Sequence, residues 1–139
     1  MMFNDITGYA AFFAHREKRI LVCGSRDFNN YSYTEQQVFD KLDAIHDGYL
    51  VNHYVTVVQG EARGVDLTAS AWAKARLLPQ LCVPADWQEY GKLAGFLRNE
   101  TMLTIGKPDI VVAFPGGAGT KDMKTRAQRH GIELIEIEF

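Results

Sequence analysis

The sequence predicts an α/β fold, a doubly wound parallel sheet of five strands flanked by helices. Three observations carry that prediction. Short apolar runs without polar alternation recur along the chain, as strands covered on both faces require. Each run stops at glycine or proline, and segments of helical period separate one from the next.

The fullest of these units is DIVVAFPGGAGT, Asp109 to Thr120. Ile110 to Phe114 reads as a buried central strand. Pro115 ends it, and Gly116, Gly117 and Gly119 then free the backbone to expose successive N–H groups before a helix beginning at Thr120. A helix N-terminus there favours an anion. A tight strand-to-helix turn without a ligand is the alternative.

In chain order, residues 4–17 carry Ile6, Tyr9, Ala10 and Phe13 at helical spacing, and residues 1–18 are expected to form an N-terminal helical extension. A single domain spans 19–139. Arg19 to Cys23 is the first strand, followed by the loop GSRDF. Ser32 with Glu35 and Thr34 with Gln37 both satisfy the capping-box spacing for a helix that ends near Gly48. Tyr54 to Val58 repeats the strand pattern, and Val65, Ala69, Trp72 and Ala73 trace one face of the next helix. Gln80 to Val83 is a short strand, and Trp87 to Leu93 leads into a helix from about Gly95 to Ile105. After the central strand and the helix to His130, the tail IELIEIEF alternates, as expected of a half-exposed edge.

With right-handed crossovers the expected strand order is 3-2-1-4-5. The ligand crevice then lies where the winding reverses, between strands one and four, and GSRDF and PGGAGT converge on it. Around it the chain offers Gly24, Ser25, Arg26 and Asp27, then Gly60, Glu61, Arg63, Gly64 and Asp66, then Trp87, Tyr90, Arg98 and Asn99. Arginine clamps phosphate with paired donors and an aromatic face stacks on a base, so a mononucleotide or nucleotide derivative fits. Each of these residues also has a structural use as a cap, turn or surface charge.

Composition narrows the classes. At 139 residues with a net charge of −2, the chain has no global attraction for nucleic acid or acidic membranes. No apolar run reaches the roughly 20 residues of a membrane span, so a cytoplasmic protein is expected. Cys23 and Cys82 sit in apolar runs on separated strands, which suits two buried thiols rather than a disulfide. The four histidines are scattered without ligand spacing, so no metal and no cofactor are expected. No nucleophile elbow, Walker A loop or complete dinucleotide fingerprint is present.

GSRDF, QGEARGVDLTASAWA, PADWQEYGKLAGFLRNETML and DIVVAFPGGAGTKDM together resemble the YspA-like, YpsA-related branch of the SLOG superfamily, from about Arg19 to Glu138. That superfamily, named for the Smf/DprA proteins and the LOG enzymes, has a Rossmann-like fold. It includes nucleotide-derivative binding modules, some of them ligand sensors, and hydrolases that release a base from nucleoside 5′-monophosphates. The resemblance implies that Pro115, Gly116, Gly117, Gly119 and Thr120 hold a phosphate opposite Gly24, Ser25 and Arg26. LOG-type hydrolases carry PGGxGTxxE with an arginine on the preceding helix. Arg98 takes the arginine's place here, but Met123 stands where the glutamate would be. A thioether cannot move a proton.

The leading expectation is therefore a protein that binds a nucleotide or an ADP-ribose-like derivative, as sensor or sequestering module. The alternative is a LOG-like N-glycosidic hydrolase using Arg98 with Asp66 or Glu100. Single-stranded DNA binding, suggested by the Smf/DprA relatives, is disfavoured by the negative charge and the lack of a basic, aromatic stripe. A homo-oligomer, dimer or higher, is expected if Phe12 and Phe13 cover a partner surface rather than cap the sheet.

Overall fold

The structure is a computed structural model that describes residues 16–139. Residues 1–15 of the expected N-terminal helical extension, with Phe12 and Phe13, lie outside the described residues, and its last two, Glu17 and Lys18, belong instead to the first strand. Five parallel strands form one sheet in the order β3-β2-β1-β4-β5. They are β1 (Glu17–Cys23), β2 (Tyr54–Gln59), β3 (Gln80–Cys82), β4 (Ile110–Ala113) and β5 (Glu133–Glu136). β1 starts two residues before the apolar run, because Glu17 and Lys18 pair with Tyr54 and Val55.

The uninterrupted apolar character of β1, β2 and β4 has a simple cause: both faces of the sheet are covered. Ile20, Val22, Val57 and Val112 point into one core, shared with α1 (Glu35–Ala44) and α2 (Val65–Ala75). Leu21, Val58, Val111 and Ala113 point into the other, shared with α4 (Ala94–Thr104) and α5 (Ala118–Arg129). Successive residues of a strand face opposite ways, so a doubly covered strand has no polar position to spare. Trp72 fills the first core completely buried, and its Nε1 donates to Asp43 at 2.8 Å.

Helix ends follow local chemistry. Of the two capping boxes available, Thr34 and Gln37 form theirs: Gln37 N donates to Thr34 Oγ1 at 3.2 Å and Thr34 N to Gln37 Oε1 at 2.9 Å. Ser32 instead takes a left-handed conformation closing a 3-10 turn over Phe28–Tyr31. α1 stops at Ala44 and continues as a π-helical turn, Ile45–Tyr49, so the regular helix is shorter than its periodicity suggests. The aromatic connection contains a short helix, α3 (Trp87–Tyr90), and a 3-10 turn, Gly91–Leu93.

The cysteine expectation needs one correction. Cys23 is buried, but Cys82 is exposed. β3 is a three-residue strand at the sheet edge with β2 on one side only, so an apolar run there does not secure burial. No helix among the described residues is long and apolar enough to cross a membrane.

Candidate functional site

The crevice forms at the carboxyl ends of β1, β2 and β4, where the winding of the sheet reverses. Its two principal loops are stitched together from behind. Ser25 N donates to the Pro115 carbonyl at 3.1 Å, and Val65 N to the Ser25 carbonyl at 3.0 Å. Tyr33 Oη donates to the same Pro115 carbonyl at 2.6 Å and lies 3.1 Å from Ser25 Oγ. Buried Tyr33, stacked on Phe139, is thus the latch between loops distant in sequence. Burial pushes its phenol above the ordinary range, which keeps the donor proton in place.

This stitching determines how the glycines are used. A side chain on Gly116 would strike Thr120 Oγ1 and come within 2.9 Å of Ser25 N. Gly64, Pro115 and Gly116 therefore sit behind the wall and set its shape, and they do not line the cavity. Gly117, Ala118, Gly119 and Thr120 do line it.

The cavity holds about 440 Å³. One side is the N-terminus of α5, whose N-cap is Gly117 with no side chain to cap it, and whose first turn carries no acidic residue. First-turn N–H groups have no partner within a helix, and the macrodipole adds partial positive charge. Uncapped donors opening into a cavity are the geometry that holds a phosphate.

Opposite stand Arg98 and Asp66. Arg98 is largely removed from water; its Nη1 donates to the Gly60 carbonyl, and its Nε to Asn99 Oδ1 at 3.3 Å. A Cβ on Gly60 would meet that guanidinium and displace it. Burial pulls the Arg98 pKa down, and nearby Asp66 opposes this. Asp66 is 7% exposed and accepts from Gly60 N at 3.2 Å and Ala62 N at 3.3 Å. Burial pushes its carboxyl up to about 6, against the pull of Arg98 and the two N–H groups. Asn99 Nδ2 donates to the Gly119 carbonyl at 3.1 Å and to Asp122 Oδ2 at 3.0 Å, tying α4 to the glycine turn.

Arg26 lies over the ring of Trp87, 5.1 Å from its centroid, and both line the cavity with Arg63 and Asp27. Gly24 and Ser25 complete the first wall. Gly60 lines an adjoining cavity. Tyr90 is exposed and lines neither.

Glu100 is not brought to the crevice. It pairs with Arg126 and His130, each at 2.8 Å, and these partners hold its carboxyl below the usual range. Asp122 pairs with Arg126 at 2.8 Å. Met123 is completely buried among Leu21, Val58, Met102 and Val111, facing the sheet.

Sequence reasoning missed Cys23, Asn30, Tyr31, Lys92, Gly95, Phe96 and Met102 as lining residues. Spacing could have found some of them. Gly95 and Met102 lie three before and four after Arg98, on one face of α4. Cys23 ends β1 at the cavity floor, where burial pushes its thiol far up, so it stays protonated. Among the described residues no group of three or more His, Cys, Asp or Glu could hold a metal ion.

Residues 18–90 match the YspA, cpYpsA-related SLOG family, YAcAr. The chain belongs to this family. Gene 61 protein of Mycobacterium phage D29 is 35% identical over 128 residues, covering 86% of this chain and 96% of the phage protein. DNA processing protein A, DprA, of Streptococcus pneumoniae superposes with a TM-score of 0.66 at 18% identity, over 88% of this chain and 50% of that one. That likeness shows a shared fold, and the chain spans about half the length of DprA. Membership in the SLOG family associates the chain, coarsely, with nucleotide-related binding. The matched stretch carries GSRDF and QGEARGVD and stops at residue 90, short of Arg98 and the glycine turn.

Proposed function

We propose that this protein binds a nucleotide or nucleotide derivative by its phosphate, as a ligand sensor or sequestering module. The observation that carries the reading is the uncapped N-terminus of α5, open to a cavity that also holds Arg26, Arg63 and Arg98. The phosphate takes the free N–H groups of the turn, and Arg98 supplies charge from across the cavity. Trp87 and Phe96 offer faces for the base. Calorimetric titration with the four common nucleoside 5′-monophosphates tests this. One-to-one binding that inorganic phosphate competes away is expected, and silence from a folded sample against all four would sink it.

One observation favours a second reading, an N-glycosidic hydrolase: a carboxyl with its pKa raised to about 6 lines the same cavity as Arg98. A group poised near neutrality can serve as acid or base. Against it stands Met123, which faces the core and offers no proton. Chromatography for free base after prolonged incubation separates the two. The binding reading expects none, and base release abolished by Asp66→Asn would establish the hydrolase.

A further inference from the structure

Asn99 lies in the middle of α4 and is only 5% exposed. An amide there runs against helix preference and against burial, since asparagine is a poor interior helix former and a buried polar group must find partners. Asn99 finds three. Its Oδ1 accepts from Arg98 Nε at 3.3 Å, and its Nδ2 donates to the Gly119 carbonyl at 3.1 Å and to Asp122 Oδ2 at 3.0 Å. A guanidinium on one side and two oxygens on the other dictate which way the amide faces. Arg126 Nε fixes Asp122 in turn, donating to the same oxygen at 2.8 Å.

Both amide hydrogens are thereby committed, so Asn99 has no donor left for a ligand, although the sequence sets it among the crevice residues. Its partners are the groups that face the cavity. Arg98 is held at Nε by Asn99 and at Nη1 by the Gly60 carbonyl, which leaves Nη2 and the second Nη1 hydrogen uncommitted. The Gly119 carbonyl belongs to the same planar peptide as the N–H of Thr120, which points the opposite way, toward the start of α5. Thr120 N–H is one of the first-turn donors with no partner inside the helix. One buried side chain thus sets both an arginine and a helix donor that border the same cavity.

We propose that Asn99 is the positioning residue of the crevice: it acts on a bound phosphate through Arg98 and through the peptide joining Gly119 to Thr120, without touching the phosphate itself. This rests on the nucleotide reading above and adds what keeps the two halves of the anion site in register.

A double-mutant cycle, titrated with the four common nucleoside 5′-monophosphates, tests it. Asn99→Ala should weaken the binding seen for the parent by about ten-fold, and by only about three-fold or less in the Arg98→Ala background, because the two residues act as a unit. Equal factors in both backgrounds, the mark of a general loosening of the fold, overturn the proposal, and so does an Asn99→Ala protein that binds as tightly as the parent. If Asn99→Ala fails to fold, the parent decides the matter. Its Arg98 Nε–H should exchange with water more slowly than that of exposed Arg129, and should shift together with Thr120 N–H during titration. An Arg98 Nε–H that exchanges as fast as that of Arg129, or stays unmoved while Thr120 shifts, overturns the positioning role and leaves the nucleotide reading standing. Binding of none of the four by a folded parent overturns both.

Discussion

Two polar clusters draw on α4, one at the crevice through Arg98 and one through Glu100 facing α5, and they are built oppositely. Where α4 faces α5, Glu100, Arg126, Asp122 and His130 satisfy one another at 2.8 Å. At the crevice Arg98, Arg26 and Asp66 interact without an ion pair, and burial shifts both Arg98 and Asp66 toward their neutral forms. Charges that neutralise each other hold helices together. Charges held apart around a cavity, at a cost in stability, are available to a ligand.

That contrast can be broken most violently at Met123. Met123→Glu writes the LOG-type carboxylate into the sequence, but it delivers a charge to a completely buried position. The variant should lose about 3 kcal/mol or more in denaturant unfolding, with no base release. A stable Met123→Glu protein would mean that α5 turns differently from the structure described.

Asp66 sharpens the comparison next. Its folded pKa of about 6 exceeds the ordinary 3.8, so between these values the folded state binds more protons and stability falls as pH rises. Asp66→Asn should flatten that slope and raise stability at pH 7 by up to about 3 kcal/mol, read as the difference between the two melting profiles from pH 4 to 7. Equal slopes would show that Asp66 ionises as freely as in an unfolded chain.

Arg98→Ala should weaken monophosphate binding by about 10- to 100-fold while the circular dichroism spectrum is kept. Smallest of all, Glu100→Gln should change stability by no more than about 0.5 kcal/mol and leave ligand affinity as it was, because its pairs are solvent-screened. A large affinity loss in Glu100→Gln would move the site toward the ion-paired cluster.

Much of this was legible in the sequence. Apolar runs ending at glycine or proline placed four of the strands and alternation placed the fifth, and the contrast between β4 and the alternating β5 fixed which lies inside and which at the edge. Glycine spacing after β4 located the strand-to-helix turn, although α5 begins at Ala118 rather than Thr120, so that Gly119 lies inside its first turn. What stayed hidden depends on helical phase and on reach across the sheet. Arg98 and Glu100 are two residues apart, about 200° around α4, and a motif written in one line does not show that turn. The same blindness applies to Met123, a non-acidic residue in the motif but a core residue in the fold. Tyr33 fell between two recognisable motifs, yet its hydroxyl joins them. Exposure of Cys82 follows from the shortness of β3, a property of its neighbours rather than of its own run.

The central claim is that a phosphate sits on the first turn of α5, and amide shifts in a 15N-labelled sample report on it directly. During titration with a nucleoside monophosphate, the account predicts that the largest shifts fall on Gly117, Ala118, Gly119 and Thr120, with Arg98 Nε moving in step. Saturable shifts concentrated elsewhere, with those four amides unmoved, would contradict it.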